Sequence, residues 1–166
     1  MDCCAVVKQD ANGQPACPSC RTIGRVVGDK TIQAILEPAQ ALSLLAVGRR
    51  FCATPSCATV YYGDGGRAVT KDEVPIRVGL KEREDPIPLC YCFGFSVADA
   101  RREILETGRC TIPARIKAEV RAGHSACEIK NPSGNCCLGE VYHALKKLHG
   151  DLQEGAQDGP LLVRAR

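Results

Sequence analysis

KEREDPIPLCYC, Lys81 to Cys92, sets a charged run and two prolines ahead of two cysteines one residue apart. An extended Cys-x-Cys points its side chains to opposite faces, and so short a loop disfavours a disulfide between them. In a bent loop, both thiolates can reach one inorganic centre. The fold turns on whether the chain holds the other ligands of that centre.

Composition narrows the architecture. The 166 residues include twelve cysteines, no tryptophan, three phenylalanines and four tyrosines. Aromatic side chains can therefore fill little of a core, and two small domains stapled by metal or disulfide suit the chain better than one large core. A net charge of +3, with basic residues scattered among acidic ones, argues for no nucleic-acid partner and no membrane surface.

The N-terminus, MDCCAVVKQDANGQPACPSC, lacks the basic n-region and apolar run of a signal peptide. The longest apolar stretch, Ala39 to Val47, is interrupted by Gln40 and Ser43 and is too short for membrane insertion. A cytoplasmic protein is the expectation. In that reducing compartment, cysteines serve as metal ligands before they serve as disulfides, and only an export route would reverse the order.

The expected fold class is α+β. Arg49–Thr54, Ala58–Asp64 and Arg67–Thr70 read as short strands, with Asp64-Gly65-Gly66 as a turn and Ile76–Leu80 as a further strand. Pro38 opens a short helix to Ala46. Asp85-Pro86-Ile87-Pro88 breaks regular structure and marks a domain boundary.

Beyond it the period becomes helical. Ser96 begins a capping-box pattern with Asp99, followed by Val97, Ala100, Ile104 and Leu105 at helical spacing. Pro113 opens a second helix that Gly123 ends, and a third runs from about Leu138 to Leu148 with Val141 and Leu145 on its stripe. The expected divisions are a flexible tail over 1–16, a β-rich domain over 17–85, a helical domain over 88–149 and a loosely ordered tail over 150–166.

Cys17-Pro-Ser-Cys20, then Cys52-Ala-Thr-Pro-Ser-Cys57, form two knuckles beside predicted strands, as in a zinc ribbon. Four thiolates at such turns suit Zn²⁺, which has no redox chemistry and needs no open position in a structural site. A thioredoxin-like redox pair at Cys17 and Cys20 is the rival, but it would open a helix after a strand, and no such strand precedes it.

The second group is Cys90, Cys92, Cys127 and the adjacent pair Cys136-Cys137. Spacing alone leaves zinc and an iron–sulfur cluster both open. A helical intervening segment, a turn at Asn131-Pro132-Ser133-Gly134 and thiolates at a helix start favour the cluster, because N–H groups there stabilise anionic sulfur.

A Cys-x-Cys followed by two further cysteines opening a helix resembles the 2Fe–2S fold of bacterioferritin-associated ferredoxin. More specifically, VGLKEREDPIPLCYC with NPSGNCC downstream is similar to the N-terminal part of the CopZ copper chaperones. That resemblance spans about Cys17 to Leu148. It implies a zinc-ribbon-like domain holding Zn on Cys17, Cys20, Cys52 and Cys57, then a BFD-like domain holding a 2Fe–2S cluster. Cys90, Cys92 and Cys127 would be three cluster ligands. Cys137 is the preferred fourth and Cys136 the alternative.

The resemblance also implies handling of copper or another soft metal ion, by one-electron reduction of Cu(II) to Cu(I). A separately encoded copper chaperone or a metal-exporting ATPase would be the partner. A C-terminal Met-x-Cys-x-x-Cys copper domain is expected to be lacking, since Met1 is the only methionine. A ferredoxin-like electron carrier unrelated to copper and a two-zinc interaction protein stay open as alternatives.

The remaining residues carry weaker readings. Cys3 and Cys4 could capture a soft metal. Cys110 reads as a small packed residue. His124 reads as an exposed loop histidine, and Tyr91 as either a cover for the cluster or filling of the domain interface. The Lys81–Asp85 run reads as a solvated linker. No general base, nucleophile constellation or phosphate loop stands out, so a conventional enzyme is disfavoured.

Overall fold

The computed structural model describes residues 14–157. Cys3 and Cys4, with their expected soft-metal role, lie outside the described residues. The first half carries an antiparallel sheet in sequential order: β1 (Arg25–Val26), β2 (Arg50–Phe51), β3 (Thr59–Tyr62) and β4 (Ala68–Thr70). The last three fall inside the expected strand segments. Gly65 takes φ 71 in the turn between β3 and β4, a conformation open to a residue without Cβ.

Two helices are inserted between β1 and β2. Pro38 opens α2 (Pro38–Leu45) as expected, whereas α1 (Asp29–Ile35) was not legible in the sequence. They press Ile32, Ile35, Ala41 and Leu44 onto Phe51, Val60, Tyr61 and Val69 of the sheet. The Phe51 and Tyr61 rings meet edge to face at 6.0 Å, a favoured aromatic geometry.

Two expectations for this half need correction. Pro15 and Ala16, assigned to a flexible tail, are built in: Ala16 bridges to Ile23, and the Pro15 carbonyl accepts from Tyr62 Oη at 3.2 Å. Ile76–Leu80 is not a strand. Its backbone groups are met by a side chain instead, since the Gly79 N–H donates to Tyr91 Oη (2.7 Å) and that hydroxyl donates to the Arg77 carbonyl (3.2 Å). The chain then makes a short 3₁₀ turn over Gly79–Lys81.

The second half opens with an antiparallel hairpin of β5 (Pro88–Cys90) and β6 (Phe95–Ser96). Ser96 caps α3 (Val97–Thr107): its Oγ accepts from the Asp99 N–H (3.1 Å), and the Asp99 carboxylate accepts from the Ser96 N–H (2.9 Å). This is the expected capping box with Asp in place of Glu.

Helix α4 (Ile112–Arg121) follows, then the single turn α5 (Cys127–Lys130) and α6 (Leu138–Gln157). Leu89, Ala100, Ile104, Ile112, Ile116, Val141, Leu145 and Leu148 form the core. Leu105, placed on the α3 stripe by its spacing, is 68 % exposed. Helix α6 runs nine residues past Leu148, so the loosely ordered tail expected from Gly150 begins inside a helix. Leu152 packs against the same core and extends the apolar stripe by another turn.

The halves are clasped across the loop bearing the last cysteines. Thr31 Oγ1 on α1 donates to the Glu128 carbonyl at 2.6 Å, and Tyr61 Oη on β3 donates to the Pro132 carbonyl at 2.6 Å. Gly134, at φ 71, leaves no room for a side chain: a Cβ there would stand 2.8 Å from Thr31 Oγ1. Lys30–Glu128 and Arg25–Glu140 add exposed ion pairs, which contribute little beside buried hydrogen bonds.

Tyr61→Phe removes the donor from a buried carbonyl, and Gly134→Ala strains the backbone against Thr31. Each is expected to destabilise the protein by about 1–3 kcal/mol in urea unfolding followed in both halves. Separate transitions for the two halves, untouched by either substitution, would show that the clasp contributes nothing.

Candidate metal centres

The first centre is built from two turns. After Cys17 and Cys20, Arg21 adopts a left-handed φ of 65 and donates its N–H to the Cys17 carbonyl at 2.9 Å, closing the knuckle. Such a backbone is uncommon for a residue with a Cβ and is held here by its surroundings. Cys52 leaves β2 with its N–H on the Val60 carbonyl (2.8 Å), and Cys57 closes the second turn onto the Thr54 carbonyl (3.2 Å). Ser19 Oγ and Thr59 Oγ1, 2.7 Å apart, tie the turns together.

Each knuckle contributes one sulfur to each close pair. Cys17 and Cys57 Sγ are 3.8 Å apart, and Cys20 and Cys52 Sγ 3.5 Å. All four lie within 4.8 Å of one another. A tetrahedron with Zn–S bonds of about 2.3 Å has edges of roughly 3.8 Å, so this thiol set fits a zinc ion with little adjustment.

Burial pushes the Cys52 thiol up to about 12, with the nearby Lys81 acting in the opposite direction. Burial would also raise Cys20, but hydrogen bonds involving Thr54 and Thr22 outweigh it and bring that thiol to about 6. Crowded thiols cannot all ionise unaided, and a divalent ion removes that obstacle.

Sequence reasoning missed Lys81. Only 5 % exposed, it donates Nζ to the Thr54 carbonyl (2.9 Å) and the Cys57 carbonyl (3.0 Å) of the second knuckle. Glu82 is buried beside it, paired with Arg77 at 2.8 Å and Lys71 at 3.3 Å. The expected solvated linker is, at these two residues, part of the interior. A mixed charge run gives no signal of this, because the groups that bury Lys81 lie 24 and 27 residues away.

The second set of cysteines is arranged differently. Cys92 and Cys127 Sγ are 3.4 Å apart, and the Ala126 N–H points at Cys92 Sγ from 3.4 Å. Cys90 and Cys137 are both almost fully buried, and each thiol is perturbed by the other. The neighbouring Cys137 holds Cys90 below the usual thiol range, and Cys90, together with burial, pushes Cys137 up. These four do not close into one tight tetrahedron as the first four do. They form an inner pair and an outer pair. Cys136 is exposed.

Asn131 organises the loop that delivers Cys137. Its Oδ1 accepts from the Ser133 N–H (3.0 Å) and Oγ (3.1 Å), while its Nδ2 donates to the Asn135 carbonyl (2.7 Å). Tyr91, between Cys90 and Cys92, fills the interface between the halves, as its bonds to Gly79 and Arg77 require. Cys110 is a half-buried packed residue, and His124 is an exposed partner of Glu119 at 2.7 Å.

Residues 14–75 match the CopZ-type zinc binding domain family. The chain is similar to the X-ray structure of the Archaeoglobus fulgidus CopZ N-terminal domain, with a TM-score of 0.61 and 31 % identity over 81 % of this chain and 97 % of that one. The chain belongs to the CopZ N-terminal-domain family. It is also 33 % identical over 122 residues to the copper chaperone CopZ of the same organism, covering 73 % of this chain and 57 % of that protein. The chain thus spans a little over half the length of that CopZ relative. No helix among the described residues is long and apolar enough to cross a membrane.

A closed four-thiolate zinc site contributes folding energy to the unit around it. Zinc removal with a strong chelator is expected to unfold the first half, seen as loss of far-UV dichroism and of protease resistance over 14–75. Cys52→Ser should bring about the same loss without chelator. Native-like resistance in the metal-free protein would show that the hydrophobic core suffices.

Proposed function

We propose that this chain is a metal-handling redox protein. A structural zinc sits on Cys17, Cys20, Cys52 and Cys57 within the unit over 17–85. A 2Fe–2S cluster sits on Cys90, Cys92, Cys127 and Cys137 within the unit over 88–149. The observation that carries this reading is the division of the second thiol set into two pairs. A binuclear cluster takes two cysteines on each iron, whereas a zinc ion gathers four sulfurs around one point. Burial of Cys137 and exposure of Cys136 favour Cys137 as the fourth ligand, with Cys136 a spare thiol beside it.

When bound, such a cluster supplies reversible one-electron transfer, and its potential responds to hydrogen bonds at sulfur and to solvent exposure. The chain's own contributions are the Ala126 N–H at Cys92, the apolar surroundings of Cys90 and Cys137, and the Asn131 loop that fixes their spacing. Likeness to a copper chaperone supports copper, or another soft metal ion, as the cargo. One electron passed to Cu(II) gives Cu(I), the ion that thiolates hold best, and an external one-electron donor restores the reduced protein. A separately encoded copper chaperone or a metal-exporting ATPase in the cytoplasm would receive the product, with Cys3 and Cys4 available for capture.

Two measurements test this. After anaerobic reconstitution, Cys137→Ser should lose the visible bands of the cluster while Cys136→Ser keeps them; the reverse pattern would reassign the ligand. Mixing the reduced protein with Cu(II) and a cuprous chelator should restore the oxidised spectrum and trap about one Cu(I) per cluster. A reduced spectrum unchanged by Cu(II) would leave electron transfer without a role in copper handling.

A further inference from the structure

We infer that Lys81, which lies outside the segment matched to the zinc domain, belongs to the zinc centre as the buried cation that offsets its thiolate charge. The inference rests on the zinc reading above. Zn²⁺ with four thiolates carries a net charge of about −2. A dianion that is largely out of water needs a counter-charge or a set of donors.

Lys81 poses the same problem in reverse. Its side chain is buried, yet none of the ion pairs formed by the described residues includes it. The nearby carboxylate, Glu82, is already committed to Lys71 and Arg77. Two carbonyl oxygens, of Thr54 and Cys57, satisfy hydrogen bonds of the ammonium but bring no formal charge. Those carbonyls belong to the turn that presents Cys52 and Cys57, so the negative charge that answers Lys81 is the thiolate set.

The ammonium does two things there. It fixes the second knuckle through its carbonyls, and it lowers the electron density available at the sulfurs. Less nucleophilic thiolates are slower to be alkylated and slower to give up zinc to a competing soft ion. In a protein that meets copper, such a cation helps keep the structural site on zinc.

The 3₁₀ turn that carries Lys81 is held in turn by Tyr91, through Gly79 and Arg77. Tyr91 lies between Cys90 and Cys92. The second half of the chain therefore positions a residue of the zinc centre in the first.

The test compares wild type with Lys81→Met, which keeps length and removes charge, and Lys81→Gln, which keeps a neutral donor. Zinc affinity is read by chelator competition, and thiolate reactivity by iodoacetamide-driven zinc release, on protein whose folding is checked by circular dichroism. Both variants should bind zinc about 10–100-fold more weakly, the range for groups that support metal ligands, and should be alkylated faster. Wild-type values in Lys81→Gln would reduce Lys81 to a hydrogen-bonding brace and overturn the inference.

Wild-type protein supplies a readout that needs no variant to fold. The Lys81 ammonium should give a slowly exchanging ¹H–¹⁵N signal that shifts when ¹¹³Cd replaces zinc. A signal like that of surface lysines would overturn the inference while leaving the zinc site intact. Wild-type protein that takes up no zinc would overturn both readings together.

Discussion

Two hydrogen bonds, from Thr31 Oγ1 to the Glu128 carbonyl and from Tyr61 Oη to the Pro132 carbonyl, hold the molecule's two halves in register. They join residues 97 and 71 positions apart, and both acceptors lie on the short segment between Cys127 and Cys137. That segment has little apolar content of its own and is kept in shape largely by Asn131 and Ser133. Without the clasp, the spacing between Cys127 and Cys137 would rest on a loop bonded mainly to itself. The sheet and helices of the first half therefore brace a thiol set to which none of their residues contributes.

The dependence runs the other way through Tyr91 and Lys81. Tyr91 comes from the cysteine hairpin of the second half and fixes the turn that buries Lys81 under the second zinc knuckle. A segment next to each thiol set is thus braced by a contact from the opposite half. The two thiol sets still keep distinct geometry. One is a tight group of four suited to an ion with no redox chemistry; the other sets the close pair Cys92 and Cys127 beside the more deeply buried Cys90 and Cys137, and carries the binuclear cluster only as our proposal.

How much of this could be read from the chain depended on whether the signal was local. The knuckles, the proline that opens α2, the Ser96–Asp99 box and the glycine after α4 each specify their own surroundings within a few residues, and each was legible. Helix α1 was not, because its seven residues are too few to show a period, and its buried Thr31 faces a partner in the other half. Ile76–Leu80 has the β-branched residues of a strand, but its hydrogen bonds go to a tyrosine side chain instead of a neighbouring strand. Lys81 sits in the most polar run of the chain and is among the most buried charged groups. Residue type gave its exposure prior, and distant carbonyls decided its position.

We propose that one chain holds two chemically different metal centres, each braced by the other half. This is tested most directly by counting zinc, iron and acid-labile sulfide on a single anaerobically purified sample whose visible spectrum is recorded beforehand. The expected result is a brown protein with about one zinc, two irons and two sulfides per chain. A colourless protein carrying about two zincs, and still free of iron after anaerobic reconstitution, would contradict it.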